Sequence, residues 1–132
     1  MFLDANIFIK AVRSPTAPEG RRCKRQFERI LSGEMNAHTS TLVLNEVHYF
    51  FLTNTNAVKA NKILKNILNY HNLEILALDK QTLCYVEEFV EAGLETSDAC
   101  HAATMKSNGI STICSYDKHF DKIKGIKRQT PK

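Results

Sequence analysis

The sequence predicts an α/β fold in which helices cover both faces of a mainly parallel sheet of four to five strands. Apolar stretches of strand length alternate with stretches of helical periodicity along the whole chain. The first of them, residues 1–9, is apolar apart from Asp4 and Asn6, which is typical of a strand buried between two layers of helices. Together these observations favour a three-layer α/β/α arrangement.

The first half of the chain is predicted to contain two strands and three helices. Thr16 and Glu19 form a capping-box pattern around Pro18, which predicts a helix that continues to about Ser32. The elements predicted after it are a strand within 34–40, a helix over 42–52 capped by Ser40 or Thr41, a break at 53–56 and a helix over 57–70.

The second half of the chain contains the remaining predicted strands. In order, the elements are a strand over 73–78, a helix capped by Asp79 that runs to about Ala92 and ends at Gly93, a helix capped by Thr96 or Ser97 and ended by Gly109, a strand over 110–115, a loop or short helix over 116–123 and an edge strand over 126–130. Because neither a linker nor a repeat interrupts the series, we expect residues 1–132 to form one domain.

Composition excludes several classes of protein. No apolar run approaches the roughly 20 residues of a membrane span, and no basic segment precedes an apolar one as in a signal peptide, so we expect a cytoplasmic protein with no membrane partner. The cysteines form no C-x-x-C pair, so buried free thiols are favoured over a zinc or redox site. The cysteines are Cys23, Cys84, Cys100 and Cys114.

The charges are unevenly distributed along the chain. Basic residues dominate residues 10–25 and 118–132, whereas acidic residues dominate residues 74–98, for a formal net charge of +4. Such segregation favours a polyanionic partner, although solvated helix faces and a basic tail are the alternative.

Four acidic residues stand beside apolar segments instead of on a charged helix face. Asp4 lies in the first predicted strand, and Asp117 follows the strand over 110–115. Asp98 opens a predicted helix, and Glu46 lies in the apolar helix after the second strand. In an open α/β sheet, ligands bind beyond the carboxyl ends of the strands, where the following helices also begin. We therefore expect these four carboxylates to converge, although each could instead be a helix cap, a turn residue or a surface group.

Converging carboxylates need compensation. Two like charges about 4 Å apart repel by roughly 4 kcal/mol at an effective dielectric of about 20. The position of Asp98 at a helix N-terminus stabilises its ionised form by at most about 1–2 kcal/mol. The carboxylates must therefore either take up protons at raised pKa values or hold a divalent cation. An oxygen cage without histidine or cysteine would favour one or two Mg²⁺ or Mn²⁺ ions over zinc.

Four stretches, in this order along the chain, resemble the motifs of a known family. They are FLDANIFI at residues 2–9, TSTLVLNEV at 39–47, LETSDACHAATMKSNG at 94–109 and ICSYDKHFDKI at 113–123, followed by IKRQTP at 126–131. The sequence resembles the PIN-domain family, and in particular the VapC-type toxins of toxin–antitoxin pairs. The resemblance implies a PIN-like fold and a Mg²⁺- or Mn²⁺-dependent endoribonuclease with an antitoxin as its protein partner.

The family's acidic positions correspond to Asp4, Glu46, Asp98 and Asp117. On this basis we assign Asp4 and Asp98 as direct metal ligands, and Asp117 as a ligand that binds directly or through water. Glu46 would orient or deprotonate the attacking water. The resemblance also implies supporting positions at Asn6, Ser115 and Asp121.

The expected partners are RNA and other protein chains. Tyr49, Phe50, Phe51 and Leu52 cover every side of a helix, which together with the helix over 57–70 favours an antitoxin interface or a homodimer; ordinary core is the alternative. His119 is a second candidate for substrate contact, with a surface or capping role as its alternative. The cations expected to contact RNA phosphates are Lys10, Arg13, Arg21, Arg22 and Lys118.

Other functions remain open at this stage. A PIN-like module could bind RNA or protein without cutting it, and an RNA-processing nuclease would need no antitoxin. A haloacid-dehalogenase-type phosphotransferase with Asp4 as nucleophile needs a second Asp where this chain has Asn6. A phospho-accepting receiver domain needs paired acids after the first strand, and its phosphorylated position could only be Asp79. Both phosphoryl-transfer alternatives are therefore disfavoured.

Overall fold

Five short parallel strands form one sheet in the computed structural model, which describes residues 1–132. The elements are, in chain order, β1 (Phe2–Leu3), α1 (Ala5–Arg13), α2 (Pro18–Leu31), β2 (Ala37–Ser40), α3 (Thr41–Asn54), α4 (Ala57–Leu68), β3 (Leu73–Leu76), α5 (Lys80–Leu83), α6 (Val86–Glu91), α7 (Thr96–Ser107), β4 (Thr112–Cys114), a 3-10 helix (Lys118–Lys122) and β5 (Lys127–Gln129). The strand order is β3-β2-β1-β4-β5, and every neighbouring pair is parallel. The predicted α/β fold with a mainly parallel sheet is confirmed.

The first strand is much shorter than predicted. It ends at Leu3, and Asp4 is the N-cap of α1, its carboxylate accepting a hydrogen bond from the next backbone N–H at 2.6 Å. Ile7 and Phe8 are buried as part of the inner face of this helix. A short apolar run fits a strand and a buried helix equally well, so the cap decides the outcome. The prediction of one strand over residues 1–9 is therefore wrong from Asp4 onward.

The start of α2 also differs from the predicted capping box. Ala17 occupies the N-cap position without a side-chain hydrogen bond, and the Glu19 carboxylate pairs with Lys10 of α1 at 2.6 Å instead. The two helices meet at Gly20, where an added Cβ would lie 2.6 Å from the carbonyl carbon of Ser14 and 2.9 Å from the Lys10 carbonyl oxygen. Close helix packing, and not local capping, thus sets the entry into α2.

The helix predicted from Asp79 to Ala92 is divided in two. Asp79 caps α5 as predicted, accepting a hydrogen bond from Thr82 N at 2.8 Å. The backbone N–H groups of Cys84 and Tyr85 then bond three residues back, which tightens the turn and starts α6 in a new direction. The caps predicted for α7 are wrong as well, because Glu95 is its N-cap residue and no side chain caps it.

Most other local predictions are confirmed. Ser40 caps α3 by accepting from Val43 N at 3.1 Å, and the edge strand β5 forms where predicted. All four cysteines are free, but Cys84 is exposed, so burial is confirmed for only three of them. None of the helices combines the length and the apolar character that crossing a membrane requires.

Candidate active site

The strand order places a crevice beside β1. β2 and β3 lie successively on one side of β1, whereas β4 and β5 lie on its other side, so the strand order reverses at β1. Ligand sites of open α/β sheets lie at such a reversal, beyond the carboxyl ends of the two strands. Asp4 follows β1 directly, and Asp117 lies three residues beyond the end of β4. The predicted convergence of these two acids is therefore a property of the topology.

Asp4 is held rigidly at the base of this crevice. Its side chain is 6% exposed, and its Oδ2 accepts hydrogen bonds from Asn6 Nδ2 at 2.6 Å and from Ser115 Oγ at 2.5 Å. Burial raises the pKa of Asp4, and the Ser115 hydrogen bond opposes that rise. Asn6 and Ser115 thus lie where the resemblance placed supporting groups.

The same two polar residues connect Asp4 to Asp117. Ser115 Oγ accepts from the backbone N–H of Asp117 at 2.9 Å, and Asn6 Oδ1 accepts from the N–H of Tyr116 at 3.2 Å. Asp117 then caps the 3-10 helix by accepting from the backbone N–H of its second residue at 2.8 Å. Backbone and side chains therefore fix the spacing of the two acids that follow β1 and β4.

Asp98 faces this pair from the first turn of α7. Burial, followed by the charges of Asp117 and Asp4, raises the pKa of Asp98 to about 6. One ligand atom each from Asp98, Asp117 and His119 lies within 4.8 Å of the others. The charge of His101 opposes this rise in pKa only in part, and no Lys or Arg side chain forms an ion pair with Asp98.

Glu46 reaches the acids from α3. Its Oε2 lies 3.0 Å from His101 Nε2, and its Oε1 accepts a hydrogen bond from Ser97 Oγ. Burial alone would raise the pKa of Glu46, but the contacts with His101 and Ser97 hold it below its usual value. One ligand atom each from Asp4, Glu46 and His101 lies within 4.8 Å of the others. All four predicted acids are thus brought to one edge of the sheet.

The donor set fits a divalent cation. No Lys or Arg side chain forms an ion pair with any of the four acids, so their charge is left for another cation to neutralise. Two histidines lie beside these acids. His101 contacts Glu46, and His119 Nδ1 lies 2.9 Å from an oxygen of Asp117. Because both imidazoles already have acidic partners, the remaining donors are mainly hard carboxylate oxygens, which suit Mg²⁺ or Mn²⁺.

Asp121 does not join the other acids. It forms a two-point ion pair with Arg128, with Nε–Oδ1 at 2.7 Å and Nη2–Oδ2 at 2.9 Å. Arg128 Nη1 also donates to the backbone carbonyl of Ser115 at 3.1 Å. Asp121 therefore does not contact the other acids directly. It orients Arg128, which in turn donates a hydrogen bond to the Ser115 backbone.

The predicted phosphate-binding cations lie at different distances from the acids. Lys10 Nζ lies 4.9 Å from the ring centroid of Tyr116, the residue between Ser115 and Asp117. Burial raises the pKa of the Tyr116 hydroxyl, and the nearby charge of Arg22 opposes that rise. Lys10 and Arg22 thus share one patch at the rim of the crevice.

The other three cations are more dispersed. The Arg13 guanidinium lies over the ring of Phe50, 5.5 Å from its centroid. Phe50 is on α3, one helical turn after Glu46. Lys118 is exposed directly after Asp117, whereas the Arg21 guanidinium turns to the backbone carbonyl of Thr16. Arg21 is therefore the predicted cation with the weakest geometric link to the acids.

Sequence reasoning missed Ser97 and His101 as site residues. They are four residues apart, so they share one face of α7 with Asp98 at their edge, and that spacing is visible in the sequence. Their contact with Glu46 depends on how α3 packs against α7, which no local pattern reveals. Arg128 was missed for the same reason, because it reaches Ser115 from a different strand.

Comparison with known proteins identifies the family. The model of the PIN domain matches residues 1–126, which is nearly the whole chain, so this protein belongs to the PIN-domain family. The predicted resemblance is thereby confirmed. None of the proteins with curated functions matches the sequence.

Solved structures show the same fold at low sequence identity. VapBC2 from Rickettsia felis, bound to a DNA fragment from its promoter, is 18% identical with a TM-score of 0.76, covering 99% of this chain and 98% of the other. DNA-bound VapBC from Salmonella typhimurium is 20% identical with a TM-score of 0.71, covering 98% and 96%. VapC20 from Mycobacterium tuberculosis, described as a sarcin–ricin loop cleaving toxin, is 18% identical with a TM-score of 0.69, covering 88% of both chains.

Proposed function

We propose that this protein is a divalent-metal-dependent endoribonuclease that hydrolyses RNA phosphodiester bonds, and that it is the toxin of a cytoplasmic toxin–antitoxin pair. The observation that carries the proposal is the convergence of Asp4, Glu46, Asp98 and Asp117 without a basic partner other than histidine. Membership of the PIN-domain family supports nuclease activity. The structural similarity to a toxin described as cleaving the sarcin–ricin loop supports RNA as the substrate class.

The roles of the acids follow from their surroundings. Asp4 and Asp98 would bind the cation directly, and Asp117 directly or through water. When bound, one or two Mg²⁺ or Mn²⁺ ions would lower the pKa of a water molecule and neutralise charge on the scissile phosphate. Ser115 and Asn6 keep Asp4 in one rotamer, so little reorganisation is needed during the reaction.

Glu46 differs from the three aspartates in its setting. Both of its carboxylate oxygens already face donors from α7, and the side chain is 28% exposed. Its lowered pKa keeps this carboxylate ionised, which suits a group that orients the attacking water by accepting a hydrogen bond from it, and makes it a weak base for removing the proton. We therefore assign Glu46 to the water and the aspartates to the cation.

Metal removal tests the proposal directly. Purified protein, shown to carry no bound inhibitor, is expected to cut RNA with Mg²⁺ or Mn²⁺ and to lose that activity in EDTA. Cleavage products resolved on a denaturing gel provide the measurement, and readdition of metal after EDTA serves as the control. Failure of a well-folded, inhibitor-free sample to cut RNA under any of these conditions would favour a module that binds RNA or protein without cutting it.

RNA must reach an acidic centre, so cations at its rim are expected to contribute binding energy. Arg22→Ala is expected to raise KM for RNA by about 3- to 10-fold and to reduce the slope of log affinity against log salt by about 1. Arg25→Ala is the matched control, because it removes the same charge from an exposed position on the same helix. Equal effects of the two substitutions would mean that net charge, and not a contact at the crevice, binds the RNA.

We further propose an antitoxin and a second copy of the chain as protein partners. Several similar structures are described as toxin–antitoxin complexes or VapBC assemblies. In α3, Phe51 lies in the core at 2% exposure, but Tyr49 and Leu52 are 65% and 41% exposed, and Val58 at the start of α4 is 80% exposed. Phe51 is therefore part of the core and not of an interface. The proposed interface depends on the exposed apolar side chains of Tyr49, Leu52 and Val58.

The proposed dimer is expected to depend on this exposed apolar surface. Tyr49→Lys should shift the protein from dimer to monomer in light scattering at micromolar concentration, because burying a lysine without a partner is unfavourable. Leu83→Lys is the control, since Leu83 is a 50% exposed apolar residue on α5, which packs mainly against α7. A wild-type protein that is monomeric throughout the micromolar range would contradict the dimer.

A further inference from the structure

His101 is an unusual residue for the core of this protein. Its side chain is 1% exposed, and its ring packs 6.0 Å, centroid to centroid, from that of Phe2. Nε2 contacts Glu46 at 3.0 Å, but Nδ1 is buried without any hydrogen-bond partner. A buried polar atom without a partner is destabilising and needs a reason. Packing alone would favour an apolar side chain at this position.

The contact with Glu46 supplies that reason. Ser97, one helical turn before His101, donates to one carboxylate oxygen of Glu46 while His101 contacts the other. Both contacts come from α7, the helix that also carries Asp98. The glutamate of α3 is thereby tied at two points to the helix that presents one of the aspartates.

Without these contacts Glu46 would have considerable freedom. Its side chain is 28% exposed and has three rotatable bonds, and no other side chain forms a hydrogen bond with its carboxylate. A group that handles the attacking water must be held within a small distance and angle of its working position. The rigid ring of a buried histidine restricts the carboxylate more strongly than a mobile surface side chain could.

We propose that His101, assisted by Ser97, is a positioning residue that holds the Glu46 carboxylate in its working orientation. This inference rests on the proposed hydrolytic function of the same site. It assigns to His101 an effect on turnover exerted through Glu46, with no contact to the RNA. The expected consequence is a loss of kcat larger than any change in KM.

Two substitutions separate this role from a structural one. His101→Leu removes the donor and keeps the apolar volume, and is expected to lower kcat roughly 10- to 100-fold with KM changed less than about threefold. His101→Gln can still direct an N–H toward Glu46 and is expected to recover most of that loss. Melting temperature should fall little in His101→Leu, because the substitution also removes the nitrogen without a partner.

His38→Leu is the matched control. His38 on β2 also pairs its Nε2 with a glutamate, Glu74 at 3.2 Å, and its Nδ1 is likewise buried without a partner. Glu74 lies on β3 at the edge of the sheet and belongs to no acidic cluster. His38→Leu is expected to leave both kcat and KM unchanged. An equal loss of kcat in His101→Gln and His101→Leu, or an unchanged kcat in both, would overturn the proposal.

A measurement that needs neither metal nor RNA completes the test. The side-chain carboxyl ¹³C signal of Glu46, assigned by its absence in Glu46→Gln, is expected to move toward the position of solvated glutamates in His101→Leu. Recovery of its position in His101→Gln supports the inference, and an unchanged signal in His101→Leu overturns it. A wild-type protein that cuts no RNA would refute the proposed function, while this signal still decides whether His101 holds Glu46.

Discussion

Asp98→Asn is expected to reduce metal-dependent RNA cleavage by roughly 1,000-fold or more while making the metal-free protein more stable. Burial and the charges of Asp117 and Asp4 raise the pKa of Asp98 from an ordinary value of 3.8 to about 6. The folded state therefore disfavours the ionised form, and its stability falls as pH rises from about 3.8 through about 6. Asparagine removes the charge and, with it, this pH-dependent loss.

The size of the stability gain follows from the exposure of the carboxyl group. After allowance for solvent screening of a half-exposed group, the gain is about 1 kcal/mol at pH 8. It should be much smaller at about pH 3.5, where the carboxyl of the wild type is protonated in the folded state and mostly protonated in the unfolded state. Denaturant unfolding in EDTA at the two pH values measures the gain, and a gel assay with Mn²⁺ measures cleavage.

Asp79→Asn provides the matched control for this experiment. It makes the same chemical change at the N-cap of α5, outside the acidic cluster, and asparagine is also a good cap. Cleavage by this variant is expected to equal that of the wild type. Retained cleavage in Asp98→Asn would contradict the assignment of Asp98 as a metal ligand. An Asp98→Asn variant less stable than the wild type at pH 8 would contradict the crowding of Asp98 by like charges.

Gly20→Ala is expected to lower the free energy of unfolding by about 2–3 kcal/mol, even though alanine is the better helix former. Helix propensity alone would stabilise the protein by about 1 kcal/mol. The added Cβ, however, would meet the backbone of Ser14 and Lys10 at the end of α1, and backbone atoms cannot turn aside as a side chain can. Overpacking typically costs about 1–3 kcal/mol and occasionally more, and a cost of about 3–4 kcal/mol against rigid backbone, less the propensity gain of about 1 kcal/mol, leaves the expected net loss.

Thermal unfolding measures this effect, with a fall in Tm of roughly 10 °C expected for a chain of this size. Lys24→Ala, at an exposed position of the same helix, is the control and should change the free energy of unfolding by no more than about 0.5 kcal/mol. Unaltered stability of Gly20→Ala would show that α1 and α2 can separate freely. It would then also weaken the view that their packing places Lys10 and Arg22 at the rim of the crevice.

Features that depend on neighbouring residues can be predicted from this sequence, whereas features that depend on tertiary packing cannot. Alternating strand and helix patterns predict the α/β class, and Ser40 and Asp79 cap helices where expected, because a cap depends on neighbouring residues only. The predicted strand at Asp4 is wrong because an apolar run specifies burial without specifying its period. The break at Cys84 follows from a turn for which the sequence has no glycine or proline signal.

The candidate site follows the same division. The edge of the sheet to which Asp4 and Asp117 belong can be predicted from the rule for open sheets, and the structure brings them together there. The pairing of Glu46 with His101, and of Asp121 with Arg128, depends on packing between separate elements. Composition cannot distinguish a buried histidine that contacts a carboxylate of the candidate site from one that only fills the core.

The position of Asp4 has a consequence for the dynamics of the protein. Asp4 is the residue that connects the central strand β1 to α1, and β1 pairs with β2 on one side and with β4 on the other. Such a junction cannot open by fraying of a loop or an edge; it opens only when the sheet itself comes apart. The proposed binding of a cation at Asp4 would therefore act by mass action on the whole native state, and slow amide exchange throughout the sheet is expected to become slower still as metal is added.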